Sequence, residues 1–192
     1  MTHVNTLKKI FPEPPDKIYQ DFMIDHEGMW SITHPQNAQI ISNMIIKIMN
    51  TSDLKIFDMM AGCGGNMISF INTFSFVTGA EIDNDRYIML KNNIEKYNKS
   101  NYKLILDDSL NHIDDTHDVY FMDPPWGGPD YKKLTSCELY IQNKSLKEIT
   151  QLIPKNKLII LKLPYNYNIE PYSDYILEKI IINNIIILFI RY

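Results

Sequence analysis

Short apolar runs and segments of helical apolar spacing take turns along this 192-residue chain. The runs predict strands at Lys55-Ile56-Phe57, at 75–80, at 102–106, at Val119-Tyr120-Phe121-Met122 and at 157–163, the last ending at Pro164. Two more strands flank Asn183-Asn184, a turn dipeptide. Helical spacing follows at 16–22, from Met67 to Ile71, near 85–97 and near 136–152. A longer helix starts with Thr33 as N-cap and Pro35 in its first turn. It runs to about Met49, with Ile40, Ile41, Met44, Ile45 and Ile48 as its core face. Strands alternating with helices predict a mainly parallel sheet covered on both faces, with an antiparallel strand added by the closing hairpin. Pro12, Pro14 and Pro15 set off residues 1–33 as a small arm or lid before a body over 34–192.

Composition narrows this picture. A content of 45% apolar and 22% charged residues is that of an ordinary globular domain. The formal charge of −4 argues against an extended grip on a nucleic-acid backbone, so any such contact is local. Cys63 and Cys137 give neither a disulfide framework nor zinc spacing, and the five histidines are scattered, so no metal site is expected. No signal peptide is read in Met1 to Ile10, which is polar. The apolar stretch from Ile180 to Ile190 is too short to cross a bilayer. The expectation is an intracellular protein of the nucleus or cytoplasm, with no membrane partner.

Two loops carry the candidate chemistry. After the first strand comes Asp58-Met59-Met60-Ala61-Gly62-Cys63-Gly64-Gly65-Asn66, a strand–glycine turn–helix pattern in which backbone can approach a ligand closely. The second strand ends in Glu81-Ile82-Asp83, and an acid there, about 20 residues past the turn, partners ribose hydroxyls. A dinucleotide site would look similar. The Asp-x-x-x-Gly-x-Gly-Gly-Asn spacing and Asp58, within reach of a ligand ammonium, favour S-adenosylmethionine instead. The third strand ends in Asp107-Asp108, each suited equally to capping the next turn or to contacting a ligand; Asp108 could take the adenine amine. Cys63 is small loop filler.

The second loop is Asp123-Pro124-Pro125-Trp126-Gly127-Gly128-Pro129-Asp130-Tyr131. Two prolines stiffen it. Asp123 accepts a hydrogen bond from an amine, and Trp126 stacks on a planar ring, more strongly on a cationic one. In an open α/β sheet, both loops and the strand-end acids lie at the carboxyl ends of strands, where ligands bind.

These residues resemble the class I S-adenosylmethionine-dependent methyltransferases, which have a Rossmann-like, mostly parallel seven-stranded sheet. More narrowly, Pro-Pro-Trp-Gly-Gly-Pro-Asp-Tyr resembles trimethylguanosine synthases, which methylate the guanine amine of 7-methylguanosine RNA caps. Asp58 to Asn66, the segment Asp25-His26-Glu27-Gly28-Met29-Trp30-Ser31-Ile32-Thr33 and Asn92-Asn93 match as well. The family mostly carries Ser where this chain has Asp123, and a basic residue after the Leu-Pro of Leu163-Pro164-Tyr165-Asn166.

The resemblance implies a monomer that binds S-adenosylmethionine and capped RNA, with no DNA expected. Thr33, Asp58, Ala61, Gly62, Gly64, Asn66, Asp83, Asp108 and Asp123 would contact the cofactor. Asp123, the Pro124 carbonyl and Trp126 would carry the reaction on the base. Trp30 is either the second wall of the base pocket or a core aromatic. Tyr131 and Lys17 are candidates for the cap phosphates, although Lys17 also reads as a solvated helix lysine; Lys132, Lys133 and Lys162 are weaker candidates. Two other functions fit the short core motif: an amino-methyltransferase for adenine or cytosine, and an inactive cap-binding module on the same fold.

Overall fold

The computed structural model describes residues 3–192. In chain order the elements are α1 (His3–Ile10), α2 (Gly28–Ser31), α3 (Pro35–Met49), β1 (Lys55–Asp58), α4 (Gly65–Thr73), β2 (Phe76–Glu81), α5 (Asn84–Glu95) and β3 (Tyr102–Leu106). There follow β4 (Val119–Met122), β5 (Tyr140–Ile141), β6 (Lys144–Ser145), α6 (Leu146–Thr150), β7 (Leu158–Pro164), β8 (Ile176–Ile182) and β9 (Ile185–Ile190). Seven of the strands build one mostly parallel sheet, as the alternation predicts. The backbone divides into two compact units, one ending at Ser109 and the other beginning at Leu110. No helix among the described residues is long and apolar enough to cross a membrane.

In the first unit β1 and β3 flank β2, both parallel to it, with Asp58 opposite Gly79 and Glu81 opposite Leu106. A Cβ on Gly79 would lie 2.2 Å from the Met67 sulfur, so glycine is what lets α4 settle on the sheet. Helix α3 packs on α4 through a buried Ser42–Ser69 hydroxyl pair, 2.8 Å apart. Its core stripe is Ala38, Ile41, Ser42 and Ile45; Ile40, expected in the core, is 43% exposed. His34 caps α3 by accepting the Gln36 N–H at Nδ1, so Thr33 is not the cap.

The helix expected over 16–22 is absent. Three prolines precede it, and Lys17 sits in the left-handed region (φ 60°), closing a turn onto the Pro14 carbonyl at 2.9 Å. The segment is nevertheless anchored: Phe22 stacks on Phe11 at 4.5 Å, and the Tyr97 hydroxyl donates to the Pro12 carbonyl. An unexpected helix, α1, precedes it and buries Leu7.

In the second unit β4 is parallel to β7, while β9 runs antiparallel to both β7 and β8. The helix expected over 136–152 shrinks to α6, begun by a capping box of Ser145 and Glu148. Ahead of it the chain turns at Gln142-Asn143, both at positive φ, and pairs β5 with β6; a helix cannot pass through such a turn. The Lys147 ammonium lies 4.8–4.9 Å from the ring centroids of Tyr172, Tyr175 and Tyr192, tying α6 to the C-terminal segment. Asn183 and Asn184 take left-handed φ values of 51° and 63° and make the predicted hairpin turn. Strand β8 ends the sheet, and its residues alternate in exposure, with Leu177, Lys179 and Ile181 outward.

Candidate functional site

One candidate loop, the glycine turn, lies in the first unit. Strand β1 delivers Asp58 buried to 1% exposure, and its Oδ1 accepts the Met60 N–H at 3.4 Å. The three glycines that follow have different tasks. Gly62 (φ 53°) forms an open crest, with nothing within 4 Å of where a Cβ would stand. Gly64 (φ 101°) is the N-cap of α4. Gly65 leaves no room for a side chain: a Cβ would come within 2.7 Å of Ile32 and 3.1 Å of the Thr33 backbone.

The acid bound to this loop is Glu81. Its carboxylate accepts the Gly62 N–H and the Asp83 N–H, both at 2.9 Å, and the residue is 8% exposed. Asp83, the acid expected to face the ribose, is exposed and caps α5 by accepting the Arg86 N–H. The strand-end spacing admits Glu81, which lies 19 residues past Gly62, as readily as Asp83. Asp107 accepts the Asp108 N–H at 2.8 Å, and Asp108 is half-buried just past β3.

The segment before α3 is fastened to the loop. Asn66 donates to the buried Thr33 hydroxyl at 2.9 Å. Asn93, fully buried, donates to the carbonyls of Met23 (2.7 Å) and Cys63 (2.9 Å) and accepts the Met23 N–H. Asn92 donates to the Asp21 carbonyl. Arg86 pairs with Asp25 at 2.9 Å and with Glu27. Burial pushes the Asp25 carboxyl up, but the Gly28 N–H and the Arg86 guanidinium outweigh it and hold it below its ordinary value. Burial drives the Cys63 thiol up to about 11, which removes it as a thiolate nucleophile. Trp30 is 53% exposed on α2, so it is not a core aromatic.

This loop fits the methyl donor expected from sequence. The Asn66 Oδ1 is buried with no hydrogen-bond partner, an acceptor left for an ammonium or hydroxyl. The Gly62 crest is open, and each Glu81 oxygen keeps lone-pair capacity beyond its backbone bond.

The other candidate loop lies in the second unit. Met122 of β4 pairs with Leu161 of β7 in parallel register, so Asp123 and Lys162 are the next residues along neighbouring strands. Their side chains meet at 2.6 Å, with Lys162 only 4% exposed. Burial pushes the Asp123 carboxyl up from its ordinary value, against the pull of the Lys162 ammonium. The same ammonium lies 5.6 Å from the Trp126 ring centroid.

Trp126 is half-buried, braced edge-on by Tyr131 at 5.2 Å between centroids, and its indole N–H is buried without a partner. Gly127 and Gly128 (φ 78° and 76°) turn the loop back toward Tyr131. Asn166 secures that turn by donating to the carbonyls of Tyr131 and Leu134. Pro124 is buried. Lys133 pairs with Asp130 and Lys132 stands over the Tyr131 ring. In the first unit, Lys17 is exposed, off any helix, and 3.6 Å from Glu13. Sequence reasoning names Glu81 but settles on Asp83, finds no task for Arg86 or Asn166, and gives Lys162 a different one.

Comparison with known proteins agrees with these features. An uncharacterised protein of Acanthamoeba polyphaga mimivirus is 32% identical over 201 residues, covering 90% of this chain and 78% of that one. The trimethylguanosine synthase of Schizosaccharomyces pombe is 29% identical, covering 79% of this chain and 66% of the enzyme. That of Saccharomyces cerevisiae is 27% identical, and the match covers 79% of this chain and 51% of the enzyme. The chain thus spans just under two thirds of one enzyme's length and half of the other's.

Among solved structures, a precorrin-6y C5,15-methyltransferase of Geobacter metallireducens superposes with a TM-score of 0.60 at 15% identity, covering 89% of this chain and 93% of that one. Trm5b of Pyrococcus abyssi reaches 0.51 at 18% identity, covering 81% and 49%. At such identities the likeness establishes the fold, a Rossmann-like methyltransferase sheet. A family model described as RNA cap guanine-N2 methyltransferase matches residues 54–187, well over half the chain and both loops. With the glycine turn, its acid and the aromatic loop inside that span, the chain belongs to the RNA cap guanine-N2 methyltransferase family.

Proposed function

We propose that this chain transfers a methyl group from S-adenosylmethionine to the exocyclic amine of a 7-methylguanosine cap. The observation that carries the reading is the Trp126 indole, braced by Tyr131 beside the half-buried Asp123 carboxylate. A stiff aromatic face next to an anionic acceptor suits a planar cation that bears an amine. The base of the cap is positively charged, and a desolvated cation–π contact contributes about 2 kcal/mol.

S-adenosylmethionine, when bound, supplies an electrophilic methyl on its sulfonium. Asp58, Ala61, Gly62, Gly64, Asn66 and Thr33 would hold its methionine end. We give the ribose to Glu81, keep Asp83 as a helix cap, and assign the adenine amine to Asp108. On the acceptor side, Asp123 and the Pro124 carbonyl accept hydrogen bonds from the amine and favour the positive charge that develops on nitrogen. The amine becomes acidic only once alkylated, so no dedicated general base is required. Alignment of nitrogen, methyl and sulfur supplies most of the acceleration. Trp30 is assigned as the second wall of the base pocket, with Tyr131 toward the cap phosphates. Lys17 faces the phosphates only if it leaves Glu13.

The test compares methyl transfer to 7-methyl-GDP and to GDP. The methylated nucleotide should react about 30-fold faster, the equivalent of about 2 kcal/mol. Equal rates would remove the stacking argument. Transfer to uncapped oligonucleotides at comparable rates would favour an adenine or cytosine amino-methyltransferase. Failure to bind S-adenosylmethionine in calorimetry would favour an inactive cap-binding module.

A further inference from the structure

A lysine that is 4% exposed in an otherwise apolar strand needs a reason. Strand β7 runs Leu158-Ile159-Ile160-Leu161-Lys162-Leu163-Pro164, buried throughout. Its neighbour β9 places Ile187 opposite Lys162 and carries no ionisable side chain. The lysine does have a partner, the Asp123 carboxylate at 2.6 Å, and the two are brought together by the parallel register of β4 and β7. Replacing an ion pair that takes a lysine out of water with apolar side chains is often neutral or stabilising, so stability alone is a weak account of it.

Chemistry gives a better one. A carboxylate accepts hydrogen bonds at both oxygens, whereas a protonated carboxyl offers a donor in one direction. An amine nucleophile bearing N–H groups needs acceptors. Burial by itself favours the protonated form, and Lys162 opposes that. Resting on the cap-methylation reading above, we propose that Lys162 is a positioning residue: it keeps Asp123 an anionic acceptor and fixes its rotamer through Oδ2, so that the carboxylate is held ready for the acceptor amine. Nothing in this role requires Lys162 to touch substrate.

Titratable groups on β4 and on the aromatic loop have partners of their own. Tyr120 of β4 donates its hydroxyl to the Asp114 carbonyl. The 3-10 turn Pro129–Lys133 contributes Tyr131, with its ring on Trp126, the Asp130–Lys133 pair and Lys132 over the Tyr131 ring. Asp123 itself pairs with Lys162.

The experiment measures kcat and KM for 7-methyl-GDP from about pH 6 to about pH 9, the range into which buried carboxyls shift. It uses the full chain as wild type, Lys162→Met, Lys162→Arg, Asp123→Asn and the Asp123→Asn/Lys162→Met double variant. Lys162→Met should lower kcat about 10²-fold at the acid end and regain at least about tenfold toward the alkaline end, as Asp123 ionises without help. Lys162→Arg should keep the wild-type profile. In the Asp123→Asn background, Lys162→Met should have almost no further effect on kcat.

A purely structural lysine would instead give a pH-independent loss that adds to that of Asp123→Asn, and that result overturns the proposal. If Lys162→Met does not fold, the Arg variant and the carboxyl carbon titration of Asp123 in wild type decide. An Arg profile displaced from wild type, or an Asp123 that is still protonated at the pH of full activity, also overturns it. Wild type that is inactive on 7-methyl-GDP at every pH would overturn the parent reading and this one with it; an active wild type with parallel variant profiles would overturn this one alone.

Discussion

Two acids stand two residues apart at the end of β2, and their environments separate them. Glu81 is buried and bonded to the glycine loop through Gly62, whereas Asp83 is exposed and serves the first turn of α5. Glu81→Gln replaces one acceptor oxygen with a donor beside a backbone N–H, so it should weaken S-adenosylmethionine binding at least about tenfold, the loss of one charged hydrogen bond. Asp83→Asn keeps capping ability and should change binding by less than about twofold, because Asn and Asp are equally good N-caps. Calorimetric titration of both variants checks this, and the opposite ranking would return the ribose to Asp83. Glu81 was within reach of the sequence, since the spacing from the glycine turn fits it. Lys162 was not, because a lone lysine in an apolar run acquires its meaning from a strand 39 residues upstream.

Among the elements, the seven strands of the main sheet and the glycine-led helix were legible because run length and spacing decide them locally. The two misread helices were decided by backbone conformation. Lys17 and the Gln142-Asn143 pair adopt left-handed φ, which periodicity does not register. The fastening of residues 21–33 onto α5 and the glycine loop was also hidden, since Asn93 and Arg86 act across about 60–70 residues of sequence.

That fastening has a pH dependence of definite sign. The folded-state carboxyl of Asp25 lies below its ordinary value, so its stabilising contribution is present above about pH 3.9 and fades as pH falls through the lowered value. Gly28, whose N–H bonds to Asp25 at 2.6 Å, should lose hydrogen-exchange protection relative to its intrinsic rate on acidification below that point. Asp25→Asn should flatten the dependence. Gly28 protection unchanged to about pH 2 would contradict the assignment.

For the whole molecule, charge sets how a nucleic acid can be held. With 23 acidic against 19 basic residues and a formal charge of −4, the chain as a whole does not attract a long phosphate backbone. Binding of a capped oligonucleotide should therefore depend weakly on salt, with a log–log slope no steeper than about −2, equivalent to roughly three neutralised phosphates on a single strand. A slope of about −5 would mean an extended RNA track. Fluorescence anisotropy over a salt series measures it.

The outer margin of β8 has a consequence for the protein in bulk solution. Among the described residues β8 is the sheet's outer strand, and an edge that shows Leu177 and Ile181 is a template for lateral growth by further copies; the exposed charge between them is Lys179, with Glu178 half-buried. That ammonium works as a gatekeeper. Lys179→Thr should leave the protein's melting point nearly unchanged while lowering the concentration at which solutions begin to scatter light.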